Sequence, residues 1–196
     1  MLWKESGNIK IHRTRVIHLY EADYNLSLSL KWREALFAAE RAHSLAEGQY
    51  GSRPRRSSND PVLLEVLQTE MSRITRKSYI QMNFDATSCY DRIIASIAMM
   101  ASRKYGVPAS VAKANVSTLE HTNYRLRTGL GVSESGYQHC NDFPIYGTGQ
   151  GSGNSPIIWC FVSSILFQCA DNDRVQDAQY KYPDKNRQHV DQNGGI

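Results

Sequence analysis

The segment that most constrains the fold is residues 78–93, where an apolar run ends on a carboxylate and leads into a helix. Residues 79–84 are rich in aromatic and branched side chains, which predicts a buried strand. Asp85 follows directly, and Ser88 can cap a helix that begins near Tyr90. A carboxylate at the end of a core strand commonly holds a hard cation, but it can equally cap the next helix. On this segment alone, both interpretations of Asp85 stay open.

A second unusual segment, residues 143–156, holds four glycines within seven residues and leads into an apolar helix. Glycine permits positive φ angles and close approach of the backbone to a ligand, and Pro156 suits a first helical turn. A P-loop is excluded because no lysine follows these glycines, and no register fits GxGxxG. The segment therefore predicts a ligand-binding loop that neither nucleotide-binding template describes.

The rest of the sequence predicts a mixture of helices and short strands. Residues 10–20 alternate basic and apolar side chains, which predicts a strand or hairpin with cations on one face, and residues 124–128 predict another strand. Spacing of apolar residues and capping signals predict helices over residues 21–47, 61–74, 93–103, 109–121 and from 157 onwards. The fold class is therefore α+β, with mixed helices and a small antiparallel sheet.

Composition limits the kinds of partner that the protein is expected to bind. The chain has 196 residues and a net charge of +4, which suits a polyanion without requiring one. The four cysteines lack CxxC spacing, so neither a zinc site nor a disulfide scaffold is predicted and a reducing compartment is favoured. The longest apolar run, residues 156–166, is too short for a membrane span, so no membrane partner is expected. Residues 171–196 are mostly polar and predict a weakly ordered tail.

Taken together, the two unusual segments resemble motifs A and B of reverse transcriptases, especially those of non-LTR retrotransposons and group II introns. Motif A is an Asp followed five residues later by an aromatic residue and then often by Asp, and Asp85, Tyr90 and Asp91 match it in register. Motif B is Gln-Gly-x-x-x-Ser-Pro, and the run from Gln150 to Pro156 matches it in register.

Two further segments are similar to fingers motifs of the same family and stand in the family's order. The first carries Arg15 and then Tyr24-Asn25-Leu26, and resembles the motif that supplies an arginine beside the incoming nucleotide. The second, residues 49–57, resembles QxGFRPGRS and departs from it at Ser52 and Arg55, where Phe and Gly are expected. The resemblance covers residues 10–170 and implies a single domain over residues 1–170, the fingers and a partial palm of a right-hand polymerase.

The resemblance implies RNA-directed DNA synthesis with Mg²⁺ (or Mn²⁺), an RNA template, a DNA primer and a dNTP. It makes Asp85 the catalytic metal ligand, and it puts Tyr90 under the deoxyribose, where the ring would exclude a 2′-OH. The other residues that it assigns to the dNTP are Gln150, Gly151, Arg15, Arg53 and Lys10. Those that it assigns to nucleic-acid contact are Arg13, Arg55 and Arg56.

One part of the family pattern is missing from this sequence. The family's remaining carboxylates come from motif C, an aromatic-x-Asp-Asp hairpin, and the sequence contains no such run. Asp191 is the other candidate for a second carboxylate, although its flanking residues make a poor buried strand. The active site that these residues imply is incomplete. Two alternatives therefore stay open: a non-catalytic remnant of a retroelement, and a maturase-like protein that binds nucleic acid.

Overall fold

The computed structural model describes residues 2–3, 14–81, 86, 88–142 and 144–179. The helices are α1 (Ala22–Arg41), α2 (Asn59–Thr75), α3 (Cys89–Arg92), α4 (Ala95–Lys104), α5 (Ala109–His121) and α6 (Ser155–Gln179). The strands are β1 (Leu2–Trp3), β2 (Thr14–Arg15), β3 (Arg127–Thr128) and β4 (Gly131–Val132). β1 pairs antiparallel with β2, and β3 pairs antiparallel with β4. The predicted α+β class, helices with small antiparallel sheets, is confirmed at this coarse level.

The core forms where α1, α4, α5 and α6 pack together. The first half of α6 is apolar on nearly every face, which is why Ile158 and Phe161 are almost fully buried. The Phe161 ring stacks on Tyr105 with centroids 4.7 Å apart. Trp32 of α1 is 1% exposed, and its indole N–H donates to Ser102 Oγ of α4 at 3.0 Å. This core fixes the start of α6, and with it the loop that precedes the helix.

We expect Ser102→Ala to lower the free energy of unfolding by about 1–3 kcal/mol. The substitution removes the acceptor of the Trp32 indole N–H and leaves that donor buried without a partner. Urea unfolding measures the change, with Ser96→Ala as the control because Ser96 is an exposed serine on the same helix. Equal losses in the two variants would contradict a stabilising role for the buried hydrogen bond.

The buried strand predicted over residues 79–84 is wrong for the residues that can be assessed. Residues 79–81 form no strand, and Tyr79 and Ile80 are 42% and 85% exposed. α2 ends with Arg76 in the left-handed conformation, and no described strand pairs with the chain that follows. Residues 82–85 lie outside the described residues.

Other elements also differ from expectation. The helix predicted over residues 93–103 begins only at Ala95, because Ile93 and Ile94 are extended. α6 runs on to Gln179, so the predicted tail begins as a helix, and residues 180–196 lie outside the described part. Residues 16–20 form no strand. α2 has the predicted apolar stripe, but none of its side chains is buried.

Candidate functional site

The segment before α6 forms a glycine-rich loop (residues 147–153) that rests on α3. The Gly147 N–H donates to the Ile93 carbonyl at 2.8 Å, and the Thr148 N–H donates to the Tyr90 carbonyl at 2.9 Å. Gly147 has φ +99°, and a Cβ at this position would lie 2.6 Å from the Tyr90 oxygen. Only glycine allows both the backbone conformation and this close approach. The loop and α3 are therefore held together by backbone atoms.

A side-chain hydrogen bond joins the two motifs at the same place. Gln150 Nε2 donates to Asp91 Oδ2 at 2.8 Å, across a separation of 59 residues in the sequence. Both side chains are accessible, whereas Tyr90 is half-buried. Burial raises the pKa of the Tyr90 phenol, with a smaller contribution from Cys89, so the ring is neutral at physiological pH. The Asp91 and Gln150 side chains are thus in contact, and the half-buried Tyr90 is the neighbour of Asp91 in the sequence.

The chain before α1 contacts the glycine-rich loop as well. The His18 N–H donates to the Gln150 carbonyl at 2.6 Å. Asn25 bonds the loop twice: Nδ2 donates to the Gly151 carbonyl at 3.2 Å, and Oδ1 accepts from the Gly153 N–H at 2.6 Å. A Cβ on Gly151 would lie 2.5 Å from the His18 carbonyl oxygen. The loop is therefore held by residues 18–25 as well as by α3.

Arg53 lies in the interior rather than beside the glycine-rich loop. Its Nε and Nη2 each donate at 2.9 Å to a carboxylate oxygen of Glu40. Its Nη1 donates to the carbonyls of Ala46 and Gln49 at 2.8 and 3.0 Å. All three guanidinium nitrogens are engaged, so Arg53 anchors its own turn to α1. Contact with a triphosphate, as predicted, would require these bonds to break.

Other residues of the turn that contains Arg53 form hydrogen bonds with α6. The Gln49 Oε1 accepts from Ser163 Oγ at 2.8 Å, and the Ala46 N–H donates to Ser164 Oγ at 2.6 Å. The QxGxRP-like segment is therefore connected to the helix that follows the glycine-rich loop. The described parts of the four segments that carry the family resemblance meet around the N-terminal half of α6, although they are far apart in the sequence.

The arginines assigned to nucleic-acid contact remain on the surface where the structure describes them. Arg55 and Arg56 are both exposed. The Arg56 guanidinium lies over the Tyr50 ring, 5.2 Å from its centroid, which limits its conformational freedom. This part of the chain presents two cations to solvent beside the N-terminus of α2. Arg13 lies outside the described residues.

Several predicted site residues cannot be compared with the structure. Asp85 and Lys10 lie outside the described residues, and Arg15 is described only as the second residue of β2. Within the described chain, no three His, Cys, Asp or Glu side chains gather as a metal site. Asp91 lies against the glycine-rich loop, but one of its oxygens already accepts from Gln150. The described residues alone therefore do not fit a site for Mg²⁺.

Sequence reasoning overlooked His18, which the structure puts in contact with both the loop and a tyrosine. Its ring bonds Tyr20 Oη at 3.1 Å, and burial lowers the pKa of the imidazole, opposed by Asp91. The alternating pattern of residues 10–20 predicts only that His18 lies on one face of a strand. It does not predict the contact of His18 with Gln150. That contact depends on chain more than 100 residues away.

In comparisons with protein family models, curated proteins and solved structures, none matches this chain. Among the described helices, none has both the length and the apolar character needed to cross a membrane.

Proposed function

We propose that this chain forms part of the fingers and palm of an RNA-directed DNA polymerase of the reverse transcriptase type. In this proposal an incoming dNTP binds beside the glycine-rich loop, against Tyr90 and Gln150. The observation that carries the proposal is the hydrogen bond between Gln150 and Asp91. It brings side chains of two separately recognised motifs into one cluster, as a nucleotide site built from both motifs requires.

The construction of the loop supports the same proposal. Gly147, Gly149 and Gly151 all have positive φ angles, so the backbone passes close to its neighbours without intervening side chains. Backbone groups of Tyr90, Ile93 and His18, together with the side chain of Asn25, then fix its position. A rigid loop beside a neutral aromatic ring suits the binding of a sugar and its phosphates.

Chemistry at this site requires groups beyond those described. Nucleotidyl transfer by two metal ions needs carboxylates that clamp the attacking and leaving oxygens. The resemblance assigns Mg²⁺ to Asp85, which lies outside the described residues, and the described carboxylates do not complete such a site. For the described residues we therefore propose binding and orientation of the dNTP, and RNA-directed synthesis at Asp85 stays a prediction of the resemblance.

We expect Gln150→Ala to weaken binding of dTTP about tenfold, which corresponds to about 1.4 kcal/mol. The free energy of unfolding should change by less than about 0.5 kcal/mol, because the Gln150–Asp91 bond is accessible to water. Titration calorimetry with Mg²⁺ in the buffer measures the affinity. Gln168→Ala is the matched control, since the Gln168 side chain donates to an accessible carbonyl, that of Ser44, in another region.

Equal dTTP affinities in the Gln150 and Gln168 variants would overturn the proposed nucleotide site. The exposed Arg55 and Arg56 favour a second candidate in that case, a nucleic-acid-binding protein without polymerase activity. Such a protein would bind an RNA–DNA duplex with an affinity that falls as salt rises, because each neutralised phosphate releases counterions. Its affinity would be insensitive to Gln150→Ala.

A further inference from the structure

A cavity of about 490 Å³ lies between residues 16–20 and the hairpin that contains β3 and β4. Its volume is in the range of small-molecule sites in proteins. None of the described residues assigned above to the dNTP or to nucleic acid lines it. The cavity is therefore distinct from the proposed dNTP site, although the two share His18, which lines the cavity and bonds the Gln150 carbonyl.

One wall of the cavity is aromatic. Tyr124 stacks on Tyr137 with ring centroids 5.4 Å apart and planes 23° apart. The His18 ring meets Tyr124 edge-on at 5.2 Å. Burial, with added repulsion from Tyr137, raises the pKa of Tyr124 to about 12, so this phenol is uncharged at neutral pH. A neutral wall of stacked rings favours a planar aromatic ligand.

Two cations face the same space. Arg125 and Arg127 both line the cavity and are exposed to solvent. Neither forms an ion pair within the described part of the chain, where the arginine pairs are those of Arg53 and Arg73. No Asp or Glu is among the described residues that line the cavity. Within this part of the chain, the cavity therefore combines an aromatic wall with positive charge that no lining carboxylate offsets, which favours an anionic group on the ligand.

We propose that this cavity binds a nucleotide, with the base against Tyr124 and Tyr137 and the phosphate near Arg125 and Arg127. Stacking of a base on aromatic rings beside a cationic surface is the chemistry by which proteins hold single nucleotides of a strand. The same chemistry accepts a free mononucleotide. The proposal goes beyond the dNTP site and does not rest on it.

The test compares two probes, AMP and a single-stranded hexamer of deoxyadenylate. Titration calorimetry measures both affinities for the wild-type chain, Arg127→Gln, Tyr137→Ala and Tyr137→Phe. We expect about tenfold weaker binding in Arg127→Gln and in Tyr137→Ala, and affinity close to wild type in Tyr137→Phe, which keeps the ring. Arg103→Gln is the matched control, because it removes one exposed positive charge from α4 and should leave binding unchanged.

The two probes distinguish a free nucleotide from a nucleotide within a strand as the ligand. Binding of AMP, with cross-linking of 8-azido-AMP to residues 122–137, assigns the cavity to a free nucleotide. Binding of the hexamer without AMP assigns it to a nucleotide within a strand, and either result supports the proposal. Failure of both probes to bind overturns it, and so do equal losses in Arg127→Gln and Arg103→Gln. Gln150→Ala should leave this binding intact, so the cavity and the dNTP site can fail independently.

Discussion

Replacing Arg53 with alanine should lower the free energy of unfolding by about 3–5 kcal/mol. The Arg53 and Glu40 side chains are only 5% and 27% exposed, and the guanidinium satisfies both carboxylate oxygens. Its removal leaves the Glu40 charge partly buried without its partner, and it frees the carbonyls of Ala46 and Gln49. Because that turn also bonds Ser163 and Ser164, the loss should extend to the packing of α6. Urea unfolding followed by circular dichroism measures the effect.

Two further variants test whether the loss of stability comes from the paired hydrogen bonds between Arg53 and Glu40. Arg55→Ala removes an exposed arginine two residues away and should change stability by less than about 0.5 kcal/mol. Arg53→Lys keeps the charge but cannot reproduce the paired donors, so its loss should lie between those of the two alanine variants. If Arg53→Ala were as stable as Arg55→Ala, Arg53 would have no structural role and its predicted contact with a triphosphate would regain support.

The sequence predicted most helices well because their signals are local. The helix predicted over residues 109–121 matches α5 residue for residue, and the helix predicted over residues 61–74 lies within α2. The predictions that were wrong concern residues whose conformation depends on contacts with parts of the chain far away in the sequence. The helix after Tyr90 is interrupted at Ile93, where the carbonyl accepts from the Gly147 N–H, and no local pattern predicts that partner.

At the candidate site, too, local sequence predicted the residues but not their contacts. Tyr90, Asp91 and Gln150 were identified from motif spacing, but the contact between Asp91 and Gln150 depends on how the glycine-rich loop packs on α3. Arg53 was assigned to the dNTP through the resemblance of residues 49–57 to a fingers motif. Its partner Glu40 is 13 residues earlier on α1, in a stretch whose sequence indicates only an amphipathic helix. Sequence patterns therefore identified which residues are unusual, and the packing determined which groups they contact.

Replacing Gly147 with alanine should strongly destabilise the glycine-rich loop. A Cβ there would lie 2.6 Å from the Tyr90 oxygen and 2.9 Å from Asp91 Cα, both backbone atoms of α3. Neither can rotate away, so the loop must separate from α3. We expect a loss of about 1–2 kcal/mol from the positive φ and a further loss of about 1–3 kcal/mol from the clash. The affinity for dTTP should fall as well, because the separation breaks the Gln150–Asp91 bond.

Gly106→Ala separates these two contributions, since the two glycines share a backbone conformation and differ in their surroundings. Gly106 has φ +98°, against +99° at Gly147, and nothing lies within 4 Å of the Cβ that alanine would add. Gly106→Ala should therefore show the conformational cost alone and keep its affinity for dTTP. The difference between the two variants then measures how firmly the loop is held against α3. If that difference were zero, the loop would move away from α3 at no cost, and a nucleotide site that requires both segments together would lose its physical basis.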